Sequence, residues 1–265
     1  MGYQFLSNDT IYKDVGKIND DIYQFTYLTI DWLRHGFTTR AGGVSGGCCE
    51  SMNLQMKLQD TPENVRENLR RLAVIAGVQE DSIARLQQVH GNCVVRVDSS
   101  WADSPSADAM ITNRPDIMLM TLHADCMPVF LADTRNHAIG LCHSGWRGTL
   151  AGVAEKMLLA MMDDFGTQPQ DVVACIGPSI GPCCFEVGED VAEQFRDVDV
   201  LPVTMSPNGR PMLDLWQAVA KMFAGYGVTV DVAGECTCCQ PQYFSHRRQG
   251  TERGTMAAFM RIVAE

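Results

Sequence analysis

Two imidazoles and a thiol, those of His90, Cys126 and His143, are the side chains of this sequence best suited to hold and use a transition metal. They stand in three turn-like segments: Gln88-Val89-His90-Gly91, His123-Ala124-Asp125-Cys126-Met127-Pro128, and Cys142-His143-Ser144-Gly145-Trp146-Arg147-Gly148. Each lies in a turn sequence or at the end of a predicted strand, where sites are usually assembled. If the three converge, they give three protein ligands and leave a fourth position open, the arrangement of catalytic zinc. The separations are long, and spacing alone leaves open that the three never meet. A structural zinc is not expected, because the only C-x-x-C spacing is Cys236 to Cys239 and no second pair completes four thiolates.

Anion binding has its own candidates. Ser144 to Thr149 leads into a predicted helix, whose first-turn N–H groups, dipole and Arg147 guanidinium would cradle a phosphate. The alternative is that Arg147 caps a carbonyl and Trp146 fills the core. Arg40, in Thr39-Arg40-Ala41-Gly42-Gly43-Val44-Ser45, and Arg248, in Phe244-Ser245-His246-Arg247-Arg248-Gln249-Gly250, are the other phosphate or ribose candidates. Adjacent arginines are also commonly just solvated. Asp125 and Glu186 are the candidate proton shuttles, although Asp125, beside a ligand, reads better as a carboxylate that orients an imidazole.

These residues need rigid elements around them. Thr61-Pro62-Glu63 caps an amphipathic helix through Val65, Leu69, Leu72 and Ala76 that stops at Gly77. Further helices are predicted from about Leu150 to Phe165 and from about Leu213 to Tyr226. Between them lie strand-like runs at Cys93–Val97, Ile117–Leu122, Ala138–Cys142, Val172–Ile176 and Val228–Val232, several apolar on both faces and so central. Met256–Ala264 fits either helix or strand. The fold class is α/β of the α+β kind, one domain of mixed sheets flanked by helices, with residues 1–30 as a segment leading into a domain of residues 31–265.

The 265 residues carry 21 basic and 32 acidic side chains, a net charge of -11, which excludes a nucleic-acid binder held by bulk positive charge. The most apolar stretch, Ile117–Ala132, contains His123, Asp125 and Pro128, so no membrane span is expected. No secretory leader is apparent, and a cytoplasmic protein is the expectation. Eleven cysteines in a reducing compartment read as thiols, with Cys93, Cys142 and Cys175 filling the core.

The ordered motifs T-R-x-G-G-V-S, Q-V-H-G, A-D-C-x-P, H-x-G-W-R-G, I-G-P-x-I, L-D-L and F-S-x-R-R resemble those of the YfiH family, also called the laccase-domain or multicopper polyphenol oxidase family. The resemblance runs from about residue 31 to the C-terminus. It implies a fold related to the cytotoxic necrotizing factor deamidase and a metal, Zn2+ with copper as the alternative, at His90, Cys126 and His143. It also implies phosphorolysis of adenosine, inosine, guanosine and methylthioadenosine, deamination of adenosine, and purine nucleosides and phosphate as partners of a monomer or homodimer. The chain departs from the family pattern at His123, Ser144 and His246, and the usual T-G-R near the C-terminus is replaced by Thr251-Glu252-Arg253-Gly254-Thr255. The role of the displaced arginine is therefore not carried over.

Two rivals remain. Cys126 could be a thiolate nucleophile of a cysteine hydrolase or amidase acting on peptidoglycan precursors, or the protein could be a non-enzymatic metal-binding module. A copper-dependent polyphenol oxidase is disfavoured, because a trinuclear cluster needs several imidazoles, usually in His-x-His pairs, and none of the six histidines are two apart.

Overall fold

The computed structural model describes residues 22–25, 28–56, 59–99, 104–196 and 203–263. Most of the segment 1–30 set apart in the sequence lies outside these residues. In chain order the first half contributes β1 (Ile22–Tyr23), β2 (Leu33–Thr38), α1 (Pro62–Ala76), β3 (Ile83–Arg85), β4 (Val94–Arg96), β5 (Ala109–Thr112), β6 (Met118–His123) and β7 (Met127–Asp133). The second half adds β8 (Ala138–Ser144), α2 (Trp146–Leu150), α3 (Val153–Phe165), β9 (Val172–Ile176), α4 (Glu189–Arg196), β10 (Val203–Met205) and β11 (Pro211–Leu213). It ends with α5 (Leu215–Gly225), β12 (Thr229–Val232), α6 (His246–Gln249) and β13 (Met256–Ile262).

The strands form a five-stranded sheet ordered β1-β2-β13-β6-β3, a six-stranded sheet ordered β12-β9-β7-β8-β5-β4, and the hairpin β10-β11. Alternation along the strands explains how the two large sheets stack. In β13, Met256, Ala258, Met260 and Ile262 join the core between the sheets, while Ala257 and Phe259 face the cluster covered by α1. In β7, Phe130 and Ala132 point into that same central core, and Met127, Val129 and Leu131 pack towards α3 and α5. Strands buried on both faces read as unbroken apolar runs, which is why Met256–Ala264 was ambiguous by period. The molecule is thus helix, sheet, sheet, helix in layers, and the expected mixed α/β class holds.

Helix α1 starts and ends where its residues dictate: the Thr61 hydroxyl accepts from the Asn64 N–H at 3.3 Å, and Gly77 closes the helix at φ 68°. The second predicted helix, expected from about Leu150, starts at Val153 instead, because Gly152 at φ 75° separates it from the short α2. The third begins at Leu215, because Pro211–Leu213 pairs with Val203–Met205 and the Asp214 carboxylate caps the Gln217 N–H at 2.9 Å. The apolar stretch Ile117–Ala132 is two strands, β6 and β7, with the Ala124-Asp125-Cys126 turn between them. Cys142 and Cys175 are buried as expected, whereas Cys93, at the exposed approach to β4, is not. No helix among the described residues is long and apolar enough to cross a membrane.

Candidate functional site

His90, Cys126 and His143 meet. One ligand atom from each lies within 4.8 Å of the other two. His143 is the penultimate residue of β8 and buried, Cys126 immediately precedes β7, and His90 sits in the turn after β3. β7 and β8 are antiparallel neighbours with Met127 opposite Ser144, so the sheet register itself brings Cys126 to His143.

Asp108, a residue not singled out in the sequence, holds both histidines, His143 by its ring and His90 by its backbone. Its Oδ1 lies 2.9 Å from His143 Nδ1, which leaves His143 Nε2 as the ligand atom. The same carboxylate accepts the backbone N–H groups of Val89, His90 and Gly91 at 3.2, 3.0 and 2.6 Å. That grip holds His90 at φ 60°, a conformation a non-glycine residue adopts only when its surroundings impose it. Burial would raise the Asp108 carboxyl, but the His143 bond and the Gly91 and His90 N–H groups outweigh it and hold the group below its usual range. Asp108 is fully buried, but its sequence setting, Ala107-Asp108-Ala109, gives no sign of that role.

Asp125 does different work from that expected. Its Oδ1 accepts the Thr237 hydroxyl at 2.6 Å and its Oδ2 the Arg247 N–H at 2.6 Å, so it ties the turn before Cys126 to the C-terminal loops and orients no imidazole. His123 packs beside His143, ring centroids 5.4 Å apart. Its Nδ1 lies 3.1 Å from the Cys126 carbonyl oxygen and its Nε2 2.7 Å from the Thr121 hydroxyl. Burial and the neighbouring His143 push its imidazole well below the usual value, so it is a neutral prop behind the ligands. Gly145 leaves room for the ligands: a Cβ there would sit 3.0 Å from Cys126 Sγ and 3.1 Å from His90 Cδ2, tighter than ordinary contact.

Without metal, the thiol and the imidazole exchange charge. Burial opposes ionisation of both, yet the facing His143 and the His90 bond pull the Cys126 thiol down to about 6. Against the same burial, the Cys126 thiolate and the Asp108 carboxylate hold His143 up at about 9. A metal ion replaces that proton and finds the sulfur already deprotonated. One thiolate, two oriented imidazoles and an open side fit a catalytic metal.

The open side is a cavity of about 310 Å³, with Leu54, Leu86, Met120 and Leu122 among its apolar lining and Arg85 and Arg253 as its cations. The volume falls at the lower end of small-molecule sites. None of the three arginines chosen from the sequence lines it. Arg40 stacks on Phe244, 4.9 Å from the ring centroid, and donates Nε to the Glu50 carbonyl. Arg147 lies 4.1 Å over the Trp146 ring, and the helix it was expected to open is the five-residue α2. Arg248 donates to the carbonyls of Thr237, Cys238, Gln240 and Tyr243 and is a loop brace. Arg253, by contrast, has a buried Nε without a hydrogen-bond partner, while its Nη1 donates to Gly254 O and Thr255 Oγ1. Glu186 is engaged by Arg210 and does not line the cavity.

The remaining histidines are occupied elsewhere. His35 accepts the Phe25 N–H, His137 stacks on Trp32, and His246 meets the Gly250 carbonyl. Only one imidazole besides the ligands, that of His123, approaches the centre, so a trinuclear copper cluster lacks its ligands here.

The family described as multi-copper polyphenol oxidoreductase laccase matches residues 34–263. A purine nucleoside phosphorylase of Deinococcus radiodurans is 38% identical over 227 residues, covering 84% of this chain and 87% of that protein. Purine nucleoside phosphorylase LACC1 of Homo sapiens is 35% identical over 89% of this chain, which spans only 57% of that longer protein. Among solved structures, YlmD from Geobacillus stearothermophilus superposes with a TM-score of 0.88 at 28% identity, covering 96% of this chain and 100% of that one. YfiH of Bacillus licheniformis gives 0.85 at 27% identity, covering 92% and 97%.

Proposed function

The chain belongs to the multi-copper polyphenol oxidoreductase laccase family, and from that premise we propose that it is a zinc-dependent purine nucleoside phosphorylase that also deaminates adenosine. The observation that carries the reading is the oriented His90, Cys126 and His143 triad at the wall of a cavity containing Arg253. Relatives named purine nucleoside phosphorylase support it. Adenosine, inosine, guanosine and methylthioadenosine are the proposed substrates, with inorganic phosphate.

In phosphorolysis a phosphate oxygen bonds to the anomeric carbon as the bond from that carbon to the purine nitrogen breaks, giving ribose 1-phosphate and a base that takes up a proton. No nucleophilic side chain is needed, and positioning of charge dominates. Arg253 is the proposed phosphate anchor, in place of Arg40, Arg147 and Arg248, because its buried Nε is a donor in need of an acceptor. Leu86, Met120 and Leu122 form an apolar wall suited to the flat purine. When bound, zinc would supply Lewis acidity to an oxygen of substrate or of water. Asp108 keeps the His143 ring oriented and the His90 backbone in place throughout, and Asp125 anchors the turn that carries Cys126.

The thiolate state of metal-free Cys126 favours the second reading, a cysteine hydrolase. One experiment separates them: mass spectrometry of products from a mixed nucleoside pool, with and without phosphate, on protein of measured zinc content. Phosphate-dependent release of free base and ribose 1-phosphate is expected, with inosine formed from adenosine whether or not phosphate is present. Absence of both from zinc-replete protein would refute the reading.

A further inference from the structure

A second cluster of metal-ligating groups lies outside this site. The sulfurs of Cys183, Cys184, Cys236 and Cys239 all lie within 4.8 Å of one another. Cys239 Sγ is 3.6 Å from Cys183 Sγ and 3.4 Å from Cys184 Sγ. In a tetrahedral zinc thiolate with Zn–S near 2.3 Å, sulfurs are roughly 3.8 Å apart, so these four already stand at about the right separation. Spacing in the sequence argued against such a site for want of a second pair. That pair is the adjacent Cys183-Cys184, on the loop after β9, facing the loop after β12 that holds Cys236 and Cys239.

The backbone around Cys236 supplies an independent observation. Its buried sulfur accepts the Gly181 N–H at 3.3 Å, across from one loop to the other. A backbone N–H aimed at a buried sulfur suits a thiolate acceptor rather than a neutral thiol. Arg247 donates to the Cys184 carbonyl and Arg248 to the Cys238 carbonyl, so two cations stand beside a centre that would carry a net charge of about -2 with four thiolates on one divalent ion.

We infer that Cys183, Cys184, Cys236 and Cys239 bind a divalent soft-to-borderline metal ion, zinc by preference, as a structural site distinct from the His90 centre. Binding releases the thiol protons and involves no change of oxidation state. The ion would cross-link the loop after β12, whose Thr237 hydroxyl donates to the Asp125 carboxylate, to the loop after β9, whose Ile180 N–H donates to the Asp125 carbonyl at 2.8 Å.

The test is metal stoichiometry on full-length protein purified with a reductant and loaded with zinc. Wild type should hold two zinc ions per chain, Cys239→Ser one, and His143→Ala one, with the Cys239→Ser ion retained by the His90 centre. Cobalt titration of wild type gives a reading that needs no variant: strong sulfur-to-cobalt charge-transfer absorption from a tetrathiolate, well above that of a one-thiolate site. One zinc per chain that survives Cys239→Ser, or cobalt absorption of a single thiolate only, would overturn the inference. So would an intact mass showing a disulfide among the four in protein kept reduced.

Discussion

The Asp108 carboxylate lies 2.9 Å from the His143 imidazole and simultaneously accepts the N–H of His90. One side chain thus sets the ring orientation of one metal ligand and the backbone conformation of another. Loss of its charge should loosen both together. Asp108→Asn is expected to weaken metal binding by about 10- to 100-fold, read by competition with a chromophoric chelator. An unchanged affinity would show that the sheet register alone is enough to assemble the triad.

Gly145 permits the thiolate and His90 to approach each other. In Gly145→Ala the new methyl group, 3.0 Å from Cys126 Sγ, crowds the ligands. Overpacking of this kind costs about 1–3 kcal/mol, so zinc affinity should fall by roughly 5- to 100-fold with far-ultraviolet circular dichroism unchanged. Wild-type affinity would mean that the turn yields freely.

Metal-free protein should betray its ion pair. Attraction to His143 favours the thiolate, so the titration moves towards acid: alkylation of Cys126 by iodoacetamide should rise with pH through a midpoint near 6, instead of the ordinary thiol value of about 8.5. His143→Gln should move the midpoint upward, and added zinc should suppress the reaction across the whole range. A midpoint near 8.5 in wild type would contradict the pairing.

Arg253 offers a separable readout. Removing a charged hydrogen-bond donor to a phosphate costs about 1.5–3 kcal/mol. Arg253→Ala should therefore raise the KM for phosphate by roughly 10- to 100-fold while zinc content stays at the wild-type level. Adenosine deamination, which uses no phosphate, should change far less. Equal losses in both reactions would argue for a role in shaping the cavity.

What the sequence made legible followed from local rules. Thr61, Pro62 and Gly77 bound α1 because caps act over one turn, whereas spacing alone offered the triad only as a candidate, and it was the family resemblance that implied a metal at the same three positions. Gly152 moved the start of α3 to Val153, past where periodicity began it, since a single positive φ outweighs a favourable apolar stripe. Asp108 stayed hidden because its partners are 17 to 35 residues away, and nothing beside it announces a buried carboxylate. The arginines misled for a related reason. A guanidinium satisfied by carbonyls, as in Arg248, has the same sequence signature as one that waits for a ligand. In Arg253 the difference lies in an Nε left without a partner, visible only once the chain is folded.

Strand β13, built from residues 256–262, lies in the middle of its sheet, hydrogen-bonded to β2 on one side and β6 on the other. A ribosome must therefore release the chain through Ile262 before that sheet can zip shut, leaving two half-sheets with open edges meanwhile. Shortening the chain to end before Met256 would not trim a tail. It would remove the keystone, and the nascent halves would be left as targets for chaperones and proteases.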